Sequence, residues 1–406
     1  MNRSTAARQA SRTHYDVIIV GGAKIGSAIA WFLSANADFD GSVLVVEKDP
    51  SYEFSSTAHT NSCMRQQFSN ELNIRISQFA AEFVKNFADY LGENADAPDI
   101  HFQSFGYLYL AADELKARSL REAQALQNSC GAATHILTSE EIASAYPFYN
   151  VQDIVLGSHN LVDEGYYDGN TVFDWWRRRA QSQGVEYVDN EIVTISKNRA
   201  RDTITSVTLR SGDVIACGKL VNATGPRASR TAMMAGLDIP VEPRKRYTYV
   251  FSAERPLAQD LPLTIDPSGV HVRSDGSNYL AGCAPQVDVA VEPDDFVADH
   301  SLWQEKVWPA LAHRIPRFDA LKLINSWVGH YAYNTLDQNA ILGPHTQVSN
   351  FLFANGFSGH GFQQAPAVGR GISEWITYGE YRSLDLSALG YERIKKEEPF
   401  LEKAVI

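Results

Sequence analysis

Residues 14–47, HYDVIIVGGAKIGSAIAWFLSANADFDGSVLVVE, decide the fold of this chain. The run 15–20 is almost entirely apolar and rich in β-branched residues, which predicts a strand buried on both faces of a parallel sheet. Residues 27–36 have the spacing of an amphipathic helix, and residues 42–46 predict a second buried strand ending at Glu47. Strand, helix and strand in this order predict a βαβ unit.

The turn between the first strand and the helix carries the glycine pattern of a dinucleotide-binding site. Gly21 allows the tight turn, and Gly26 allows the helix to pack closely on the strand. The phosphates of a dinucleotide would lie at the amino end of the helix, where free amides and the helix dipole favour negative charge. Glu47 stands 21 residues after Gly26, where a carboxylate accepts hydrogen bonds from a ribose.

One position departs from this pattern. The middle position is Ala23 rather than glycine, and its methyl group crowds the approach of the phosphates. An ordinary turn between a strand and a helix is therefore the alternative. The cofactor-binding residues predicted in this unit are Gly21, Gly22, Ala23, Ile25, Gly26, Glu47 and Lys48.

A hydroxyl-rich stretch behind Glu47 favours FAD over NAD. A flavin cofactor extends further across a protein than a nicotinamide cofactor, and it needs hydrogen-bond donors along its ribityl chain and diphosphate. A solvated loop is the other interpretation of this stretch. The predicted donors are Ser55, Ser56, Thr57, Asn61 and Ser62.

Two later segments strengthen the prediction of FAD. Residues 219–225 predict a strand that ends in the small residues Ala223, Thr224 and Gly225, followed by a helix from Pro226. The apolar strand 351–354 leads into a glycine loop and a helix over 362–377. A glycine loop that opens a helix points free amides at an electron-rich group, here the flavin pyrimidine ring. The residues predicted to line the flavin there are Gly356, Phe357, Ser358, Gly359, His360, Gly361, Phe362 and Gln363.

Composition excludes several classes of protein. The net charge of −12 disfavours a nucleic-acid partner. The sequence contains no run of about 18 apolar residues, so it predicts no membrane span. The four cysteines are far apart, which predicts neither a disulfide framework nor a metal site. Buried thiols in a reducing cytoplasm are the expected state, and residues 1–12 are expected to be a flexible tail.

The chain resembles the FAD-dependent D-amino acid oxidase/sarcosine oxidase superfamily over nearly its whole length, about Tyr15 to Tyr378. Several motifs occur in the order found in that superfamily. They are Val20–Gly26, Val46–Glu47, Asn222–Gly225, Pro240–Arg246, Thr335–Pro344 and Gly356–Gly361.

The resemblance implies an α/β fold with a Rossmann-type FAD-binding domain and a smaller α+β substrate domain built on an antiparallel sheet. The FAD-binding domain would be discontinuous and comprise residues 13–95, 150–230 and 330–380. The substrate domain would comprise residues 96–149 and 231–329. Residues 381–406 would form a C-terminal extension. Short β-like runs between 244 and 281 agree with an antiparallel sheet, and 301–314 predicts a covering helix broken at Pro309.

The resemblance also implies chemistry. Relatives oxidise a C–N bond of an amino acid or N-methyl amine by hydride transfer to the flavin, and water hydrolyses the imine. Arg65 is the candidate anchor for a substrate carboxylate, and a purely structural arginine is the alternative. His360 would either accept a substrate proton or order the glycine loop. Tyr249 and Tyr331 are candidate walls of the substrate pocket, and plain packing is the alternative for each.

Three departures bear on this chemistry. Gln363 is neutral where the sarcosine oxidase pattern has a second cation, which disfavours N-methylglycine as the substrate. No lysine follows Cys283, so a dehydrogenase that passes electrons to a carrier is nearly as well supported as an oxidase that uses oxygen. His330 stands near the position of a covalent flavin link in relatives, but non-covalent FAD is the expectation.

The sequence therefore predicts an FAD-dependent oxidoreductase acting on a small amino acid or amine. Two alternatives remain open at this point. One is a flavin-dependent dehydrogenase of 2-hydroxy acids or glycerol phosphate. The other is a flavoprotein that keeps FAD for stability and acts in assembly.

Overall fold

The computed structural model describes residues 9–92 and 97–404 of the 406-residue chain. Most of the predicted tail, residues 1–8, lies outside the described residues. Within the rest of that predicted tail, the amide and hydroxyl of Ser11 each donate a hydrogen bond of 2.7 Å to the carboxylate of Glu186.

The strands and helices follow the chain in a mixed α/β order. The strands are β1 (His14–Val20), β2 (Val43–Glu47), β3 (Cys63–Met64), β4 (Phe102–Gln103), β5 (Tyr107–Ala111), β6 (His135–Thr138), β7 (Leu156–Asn160), β8 (Gly165–Tyr167), β9 (Glu186–Asp189), β10 (Ile192–Lys197), β11 (Ile204–Leu209), β12 (Val214–Asn222), β13 (Val241–Ala253), β14 (Leu263–Ile265), β15 (His271–Asp275), β16 (Asn278–Cys283), β17 (Leu321–Asn334), β18 (Ile341–Pro344) and β19 (Phe351–Asn355). The α-helices are α1 (Lys24–Ser34), α2 (Glu71–Lys85), α3 (Phe87–Leu91), α4 (Glu114–Ser129), α5 (Ser139–Ala145), α6 (Gly169–Ser182), α7 (Ala228–Met234), α8 (Trp308–Arg314), α9 (Gly361–Tyr378) and α10 (Glu392–Lys396).

The first sheet is the Rossmann-type unit. Its central strands β9, β2, β1, β12 and β19 are parallel, and β10, β11 and β18 add antiparallel strands. Residues of β1 alternate between two cores: Ile19 packs with α1 and α9, while Ile18 packs with α7. Because both faces of β1 are covered, nearly every residue of the strand is apolar.

The second sheet has the order β17-β13-β16-β15-β14-β5-β7-β6, and all its pairs are antiparallel except β14 with β5. The predicted α/β fold, with a Rossmann-type FAD-binding unit and a second unit built on a mainly antiparallel sheet, is confirmed, and each of the two sheets has eight strands. One strand differs from the sequence-based division, which placed residues 150–160 with the FAD-binding domain. Strand β7 instead pairs with β5 and β6. Its residues are all buried between these two neighbours, so β7 is an interior strand of the second sheet.

The helix that covers the second sheet breaks differently from the prediction. The break was expected at Pro309, but the chain makes a π-helical turn over Trp303–Val307 and continues into α8. Pro309 lies in the first turn of α8, where its missing N–H leaves no hydrogen bond unmade. Within residues 9–92 and 97–404, no helix is both long enough and apolar enough to cross a membrane.

A short sheet of β3, β8 and β4 lies between the two larger sheets and starts the segment that carries Arg65. Strand β8 passes close to β4, and a Cβ at Gly165 would lie 2.0 Å from the carbonyl oxygen of Gln103. The C-terminal extension packs on the first unit through a buried ion pair, with Arg393 Nε 2.6 Å from the carboxylate of Asp337.

Candidate active site

A cavity of about 530 Å³ runs between the first and second sheets. It begins at the carboxyl ends of β1 and β2, passes the hydroxyl-rich loop, and ends at the glycine loop before α9. Most of the residues predicted from the sequence line it. They are Gly21, Ala23, Ile25, Glu47, Lys48, Ser55, Ser56, Thr57, Asn61, Arg65, Ala223, Thr224, Gly225, Tyr331, Phe357, Gly359, His360, Gly361, Phe362 and Gln363.

Six predicted residues do not line the cavity: Gly22, Gly26, Ser62, Tyr249, Gly356 and Ser358. Three of them contact residues that shape the wall of the cavity. A Cβ at Gly26 would lie 1.9 Å from the carbonyl oxygen of Gly21, so this glycine lets α1 meet the turn. Gly22 donates its amide to Glu47, and the buried Ser358 accepts a hydrogen bond of 3.0 Å from the amide of Asn334.

Tyr249 lies in the core of the second sheet instead of the predicted pocket wall. Its ring packs against Trp303, with 5.2 Å between the ring centroids, and it is 4% exposed. Its hydroxyl has no hydrogen-bond partner within the described part of the chain. Tyr247, two residues earlier on β13, lines the cavity in its place. The two rings lie on the same side of the strand with 6.5 Å between their centroids, but Tyr247 reaches the cavity while Tyr249 packs on Trp303.

The first turn of α1 forms the dinucleotide end of the cavity. Gly21 has φ +95°, a backbone conformation that favours glycine. No side chain caps the amino end of α1, so its first amides face the cavity apart from that of Lys24, which approaches Thr57 Oγ1 at 3.3 Å. This is a ready site for an anion.

Glu47 lies at the end of β2, beside this turn. Its two carboxylate oxygens accept hydrogen bonds from the amides of Gly22, at 2.7 Å, and Asp49, at 2.8 Å. Burial raises the pKa of Glu47, and the two amides act against that rise. The amides orient the carboxylate toward the cavity edge, where the sequence predicted a ribose.

Lys24 is a cavity residue that the sequence reasoning did not single out, although it stands inside the glycine pattern. Its ammonium donates to the carbonyl oxygen of Gly169 at 2.8 Å and lies 3.8 Å from the ring centroid of Phe362. The rings of Tyr167 and Trp176 complete an aromatic cage. Burial lowers the pKa of Lys24 well below its usual value. Lys24 therefore links the start of α1 to the starts of α6 and α9.

Arg65 lies at the opposite end of the cavity and is 4% exposed. Its amide donates to Oε1 of Gln363 at 2.8 Å, and its Nη2 lies 3.0 Å from Nε2 of His360. Nη2 also donates to the carbonyl oxygen of Ala404. Its Nε is buried and has no hydrogen-bond partner among the described residues. Arg65 is thus a buried cation with unused hydrogen-bonding capacity on the wall of the cavity.

The groups around Arg65 favour its positively charged form. Burial alone would lower its pKa, but two tyrosines, Tyr109 and Tyr107, and two buried carboxylates, Glu402 and Glu164, raise the pKa above the usual value. The guanidinium also lies over the ring of Phe68, 4.4 Å from its centroid.

His360 faces Arg65 as a neutral imidazole. Burial and the nearby Arg65 lower its pKa well below the usual value for histidine. Because a guanidinium has only donors, Nε2 of His360 accepts the hydrogen bond from Arg65. The ring also meets Phe68 edge-on, with 5.0 Å between centroids. This geometry favours a positioning role for His360 over that of a proton acceptor.

The second sheet contributes further residues to the wall of the cavity. His271 lies on β15, and its Nε2 is 3.1 Å from Nδ2 of Asn61. Burial and the neighbouring Arg273 lower the pKa of His271 to about 4. Arg246 on β13 makes a two-pronged ion pair with Asp288 at 2.9 and 3.0 Å and covers the ring of Tyr331 at 4.5 Å. The residues of this wall are Tyr107, Arg246, Tyr247, Thr248, Leu263 and His271.

An acidic loop, residues 288–295, crosses the mouth of the cavity. Asp294 and Glu292 form ion pairs with Arg227 and Arg230 next to the predicted phosphate site. No local pattern in the sequence indicated these pairs, because the partners stand more than sixty residues apart.

His330 also lines the cavity, but its ring is engaged. The ring packs on Phe296 at 4.3 Å, and Nε2 lies 2.8 Å from the carbonyl oxygen of Asp295. Ser56 donates its hydroxyl to the carbonyl oxygen of His330 at 2.7 Å. Covalent attachment of a flavin here stays a prediction.

Within residues 9–92 and 97–404, no three histidine, cysteine or carboxylate side chains are grouped as metal ligands, and the four cysteines are free thiols. The residues that are present fit FAD. Uncapped amides at α1 suit its diphosphate, Glu47 suits a ribose, and the loop 55–61 supplies hydroxyl groups between them and α9. The amino end of α9 also lacks a side-chain cap and faces the same cavity.

Comparison with known proteins gives consistent results. The family model for FAD dependent oxidoreductases, DAO, matches residues 16–375. The FAD-dependent oxidoreductase domain-containing protein 1 of Xenopus laevis is 38% identical, and the match covers 96% of this chain and 85% of that protein. The 4-methylaminobutanoate oxidase of Paenarthrobacter nicotinovorans is 23% identical, over 94% of this chain and 46% of the oxidase.

Among solved structures, the L-proline dehydrogenase of P. horikoshii superposes with a TM-score of 0.82. It is 25% identical in sequence, and the superposition covers 95% of this chain and 98% of the dehydrogenase. The glycine oxidase of Geobacillus kaustophilus has a TM-score of 0.77 at 20% identity, over 93% of this chain and 98% of the oxidase, and shows the shared fold.

Proposed function

Because this chain belongs to the DAO family of FAD-dependent oxidoreductases, we propose that it oxidises the C–N bond of a small amino acid or N-alkyl amine that carries a carboxylate. One observation carries the proposal: Arg65 is a buried cation on the cavity wall, beside the glycine loop of α9, and its Nε has no hydrogen-bond partner among residues 9–92 and 97–404. A buried guanidinium with spare donors favours a carboxylate ligand.

The names of several relatives support this substrate class. A sarcosine dehydrogenase and a dimethylglycine dehydrogenase are 22% and 25% identical to this chain. Sarcosine, dimethylglycine, 4-methylaminobutanoate and proline all combine a carboxylate with a substituted nitrogen. A substrate of this chemistry would place its carboxylate at Arg65 and its nitrogen in the part of the cavity that the α9 loop lines.

The charges around the cavity also suit oxidation of an amine. The amine must lose its ammonium proton before its C–N bond is oxidised. The guanidinium of Arg65 is positive, while His360 and His271 are neutral, because burial lowers the pKa of both. Among the described residues, Glu164 and Glu402 near Arg65 already accept hydrogen bonds from main-chain and side-chain N–H groups, and the positive charge of Arg65 disfavours an ammonium ion next to it.

Bound FAD accepts the two electrons of the oxidation. The chain's residues bind the carboxylate at Arg65, hold Arg65 through Gln363 and His360, and shield the reacting carbon from solvent. The imine product then adds water and separates into a carbonyl compound and an amine or ammonia.

Anaerobic reduction of the bound flavin tests the proposal. The panel contains L-proline, sarcosine, dimethylglycine and 4-methylaminobutanoate, with lactate and glycerol 3-phosphate as the hydroxyl series. Loss of visible flavin absorbance with a member of the amine series supports the proposal. If only lactate or glycerol 3-phosphate reduced the flavin, the protein would be a dehydrogenase of hydroxyl compounds. If no compound reduced the flavin, the result would indicate a non-catalytic flavoprotein.

Arg65→Met tests the anchor. We expect kcat/KM for a carboxylate-bearing substrate to fall by about 100-fold or more, because a charge-assisted, two-pronged contact is lost, while FAD content stays unchanged. Arg75→Met is the matched control, because Arg75 lies on the outside of α2 and pairs with Glu71 at 3.4 Å. Loss of FAD from Arg65→Met would identify Arg65 as a cofactor or folding residue.

A further inference from the structure

A buried carboxylate lies directly behind the segment that carries Arg65. Glu164 is fully buried, and its Oε1 accepts hydrogen bonds from the amides of Gln66 and Gln67, at 2.6 and 3.1 Å. The side-chain amides of Gln67 and Asn160 donate to it at 2.9 and 3.1 Å. Glu164 does not line the cavity, so it cannot touch a substrate there.

The fold explains why Glu164 reaches these amides. Strand β3 pairs with β8 so that Met64 lies opposite Gly165. Arg65 and Glu164 stand at the next position along the two antiparallel strands, where the strand pairing has ended. The two main-chain amides after Arg65 therefore lack strand partners, and the carboxylate of Glu164 takes their place. On the other side, the amide of Arg65 is held by Gln363.

We propose that Glu164 is a positioning residue for Arg65: by accepting the amides of Gln66 and Gln67, it fixes the main chain that aims the guanidinium into the cavity. The inference rests on the proposed function, which assigns Arg65 as the carboxylate anchor. It adds that carboxylate recognition depends on a group outside the cavity.

The chemistry of the contact requires an ionised carboxylate. Four N–H groups converge on its two oxygens, and an ionised carboxylate has acceptors only. Glutamine at this position would direct its own NH₂ at the side-chain amide of Gln67 or at the main-chain amides. At least one hydrogen bond would be lost, and the segment carrying Arg65 would shift or loosen.

A matched control exists elsewhere in the chain. Glu374 on α9 is also buried and also accepts two main-chain amides, those of Arg382 and Ser383, at 2.8 and 3.2 Å. It does not line the cavity and holds no segment that does. Glu374→Gln therefore reproduces the chemical change without touching the support of Arg65.

The test uses the full-length, FAD-loaded protein and benzoate as the carboxylate probe. Benzoate binding is followed by the change in flavin absorption at pH 8, above the pKa of about 7 that burial gives Glu164. We expect Glu164→Gln to raise the benzoate Kd roughly fivefold to tenfold with unchanged FAD content. Glu374→Gln should change the Kd less than about twofold. An unchanged Kd in Glu164→Gln would overturn the inference.

A double-mutant cycle separates the inference from the proposed function. If Glu164 acts through Arg65, Glu164→Gln should have less than about a twofold effect in an Arg65→Met background, where no cation is left to position. Equal effects of Glu164→Gln in both backgrounds would show that it acts elsewhere, and would overturn the inference alone. An Arg65→Met variant that binds benzoate like the wild type would instead overturn the anchor assignment.

Gln67→Met provides the second variant if Glu164→Gln gives no folded protein. It removes one donor to Glu164 and leaves both main-chain amides in place. A roughly twofold rise in the benzoate Kd is expected, and this too should vanish in the Arg65→Met background. Persistence of the effect in that background would count against the inference.

Discussion

The two ends of the cavity are built in different ways. The dinucleotide end comes from one continuous stretch, residues 14–47, and uses main-chain amides at a tight turn. The Arg65 end gathers single side chains from distant segments, such as Tyr107, His271 and His360. Binding by main-chain amides depends on the position of the backbone. Binding by buried side chains depends on the charge and the hydrogen bonds of those side chains.

This difference predicts different vulnerabilities. At the dinucleotide end, an added carbon atom at a close backbone contact is the damaging change. At the Arg65 end, protonation or loss of one polar atom is the damaging change, because buried polar groups depend on their partners.

The largest effect is expected from Gly26→Ala. The new Cβ would lie 1.9 Å from the carbonyl oxygen of Gly21, a main-chain atom that cannot move without opening the turn. We expect loss of most bound FAD, measured as the ratio of flavin to protein absorbance. Gly212→Ala is the control, because no described atom lies within 4 Å of its added Cβ; its φ of +94° adds a backbone strain that Gly26 does not have, so the control is the more demanding substitution of the backbone. If Gly26→Ala kept normal FAD content, the dinucleotide end would tolerate a displaced backbone.

A smaller effect is expected from acid at the other end. His271 has a pKa of about 4 in the folded protein and about 6.5 when unfolded, so the unfolded chain binds more protons between these values. Stability contributed by neutral His271 is therefore complete above about pH 6.5 and is lost as the pH falls toward 4.

Relative to a His271→Gln variant, the wild type should lose at most about 3 kcal/mol of unfolding free energy between pH 6.5 and 4. Urea unfolding of both proteins across this range measures the difference. Parallel curves would mean that His271 is already charged, or exposed, in the folded protein.

The smallest effect is expected from Tyr249→Phe. Its hydroxyl is buried without a partner among the described residues, and its ring packs on Trp303 outside the cavity. Removing the hydroxyl should leave kcat/KM unchanged and alter stability by less than about 1 kcal/mol. Tyr331→Phe is the comparison, since Tyr331 lines the cavity. Impaired turnover in Tyr249→Phe would instead indicate that the substrate binds within the core of the second sheet.

Sequence reasoning succeeded where function depends on neighbours along the chain. The strand 15–20, the turn at Gly21 and the acid at Glu47 were each predicted, because their spacing reflects one local unit. Arg65 was selected from a family pattern, and the structure places it on the cavity wall. Whether it binds a substrate stays a prediction.

Sequence reasoning failed where the environment of a residue comes from another element. Tyr247 and Tyr249 lie on the same strand, but the hydroxyl of Tyr247 accepts the amide of Asp299 and its ring lines the cavity, whereas Tyr249 packs on Trp303. Residues 150–160 were grouped with the FAD-binding domain from the family resemblance, and the local sequence of β7, LGSHN, does not indicate that it pairs with β5 and β6. Lys24 was visible inside the glycine pattern, but its aromatic cage is assembled from α6, α9 and the strand before α6.

The sequence by itself determined the βαβ unit and its anion-binding turn, because hydrophobic spacing and glycine positions act over a few residues. Only the tertiary structure decided which polar groups meet at the Arg65 end and which of them are charged. The physical reason is that burial and hydrogen bonding set the pKa values there, and both depend on segments that meet only when the two sheets pack together.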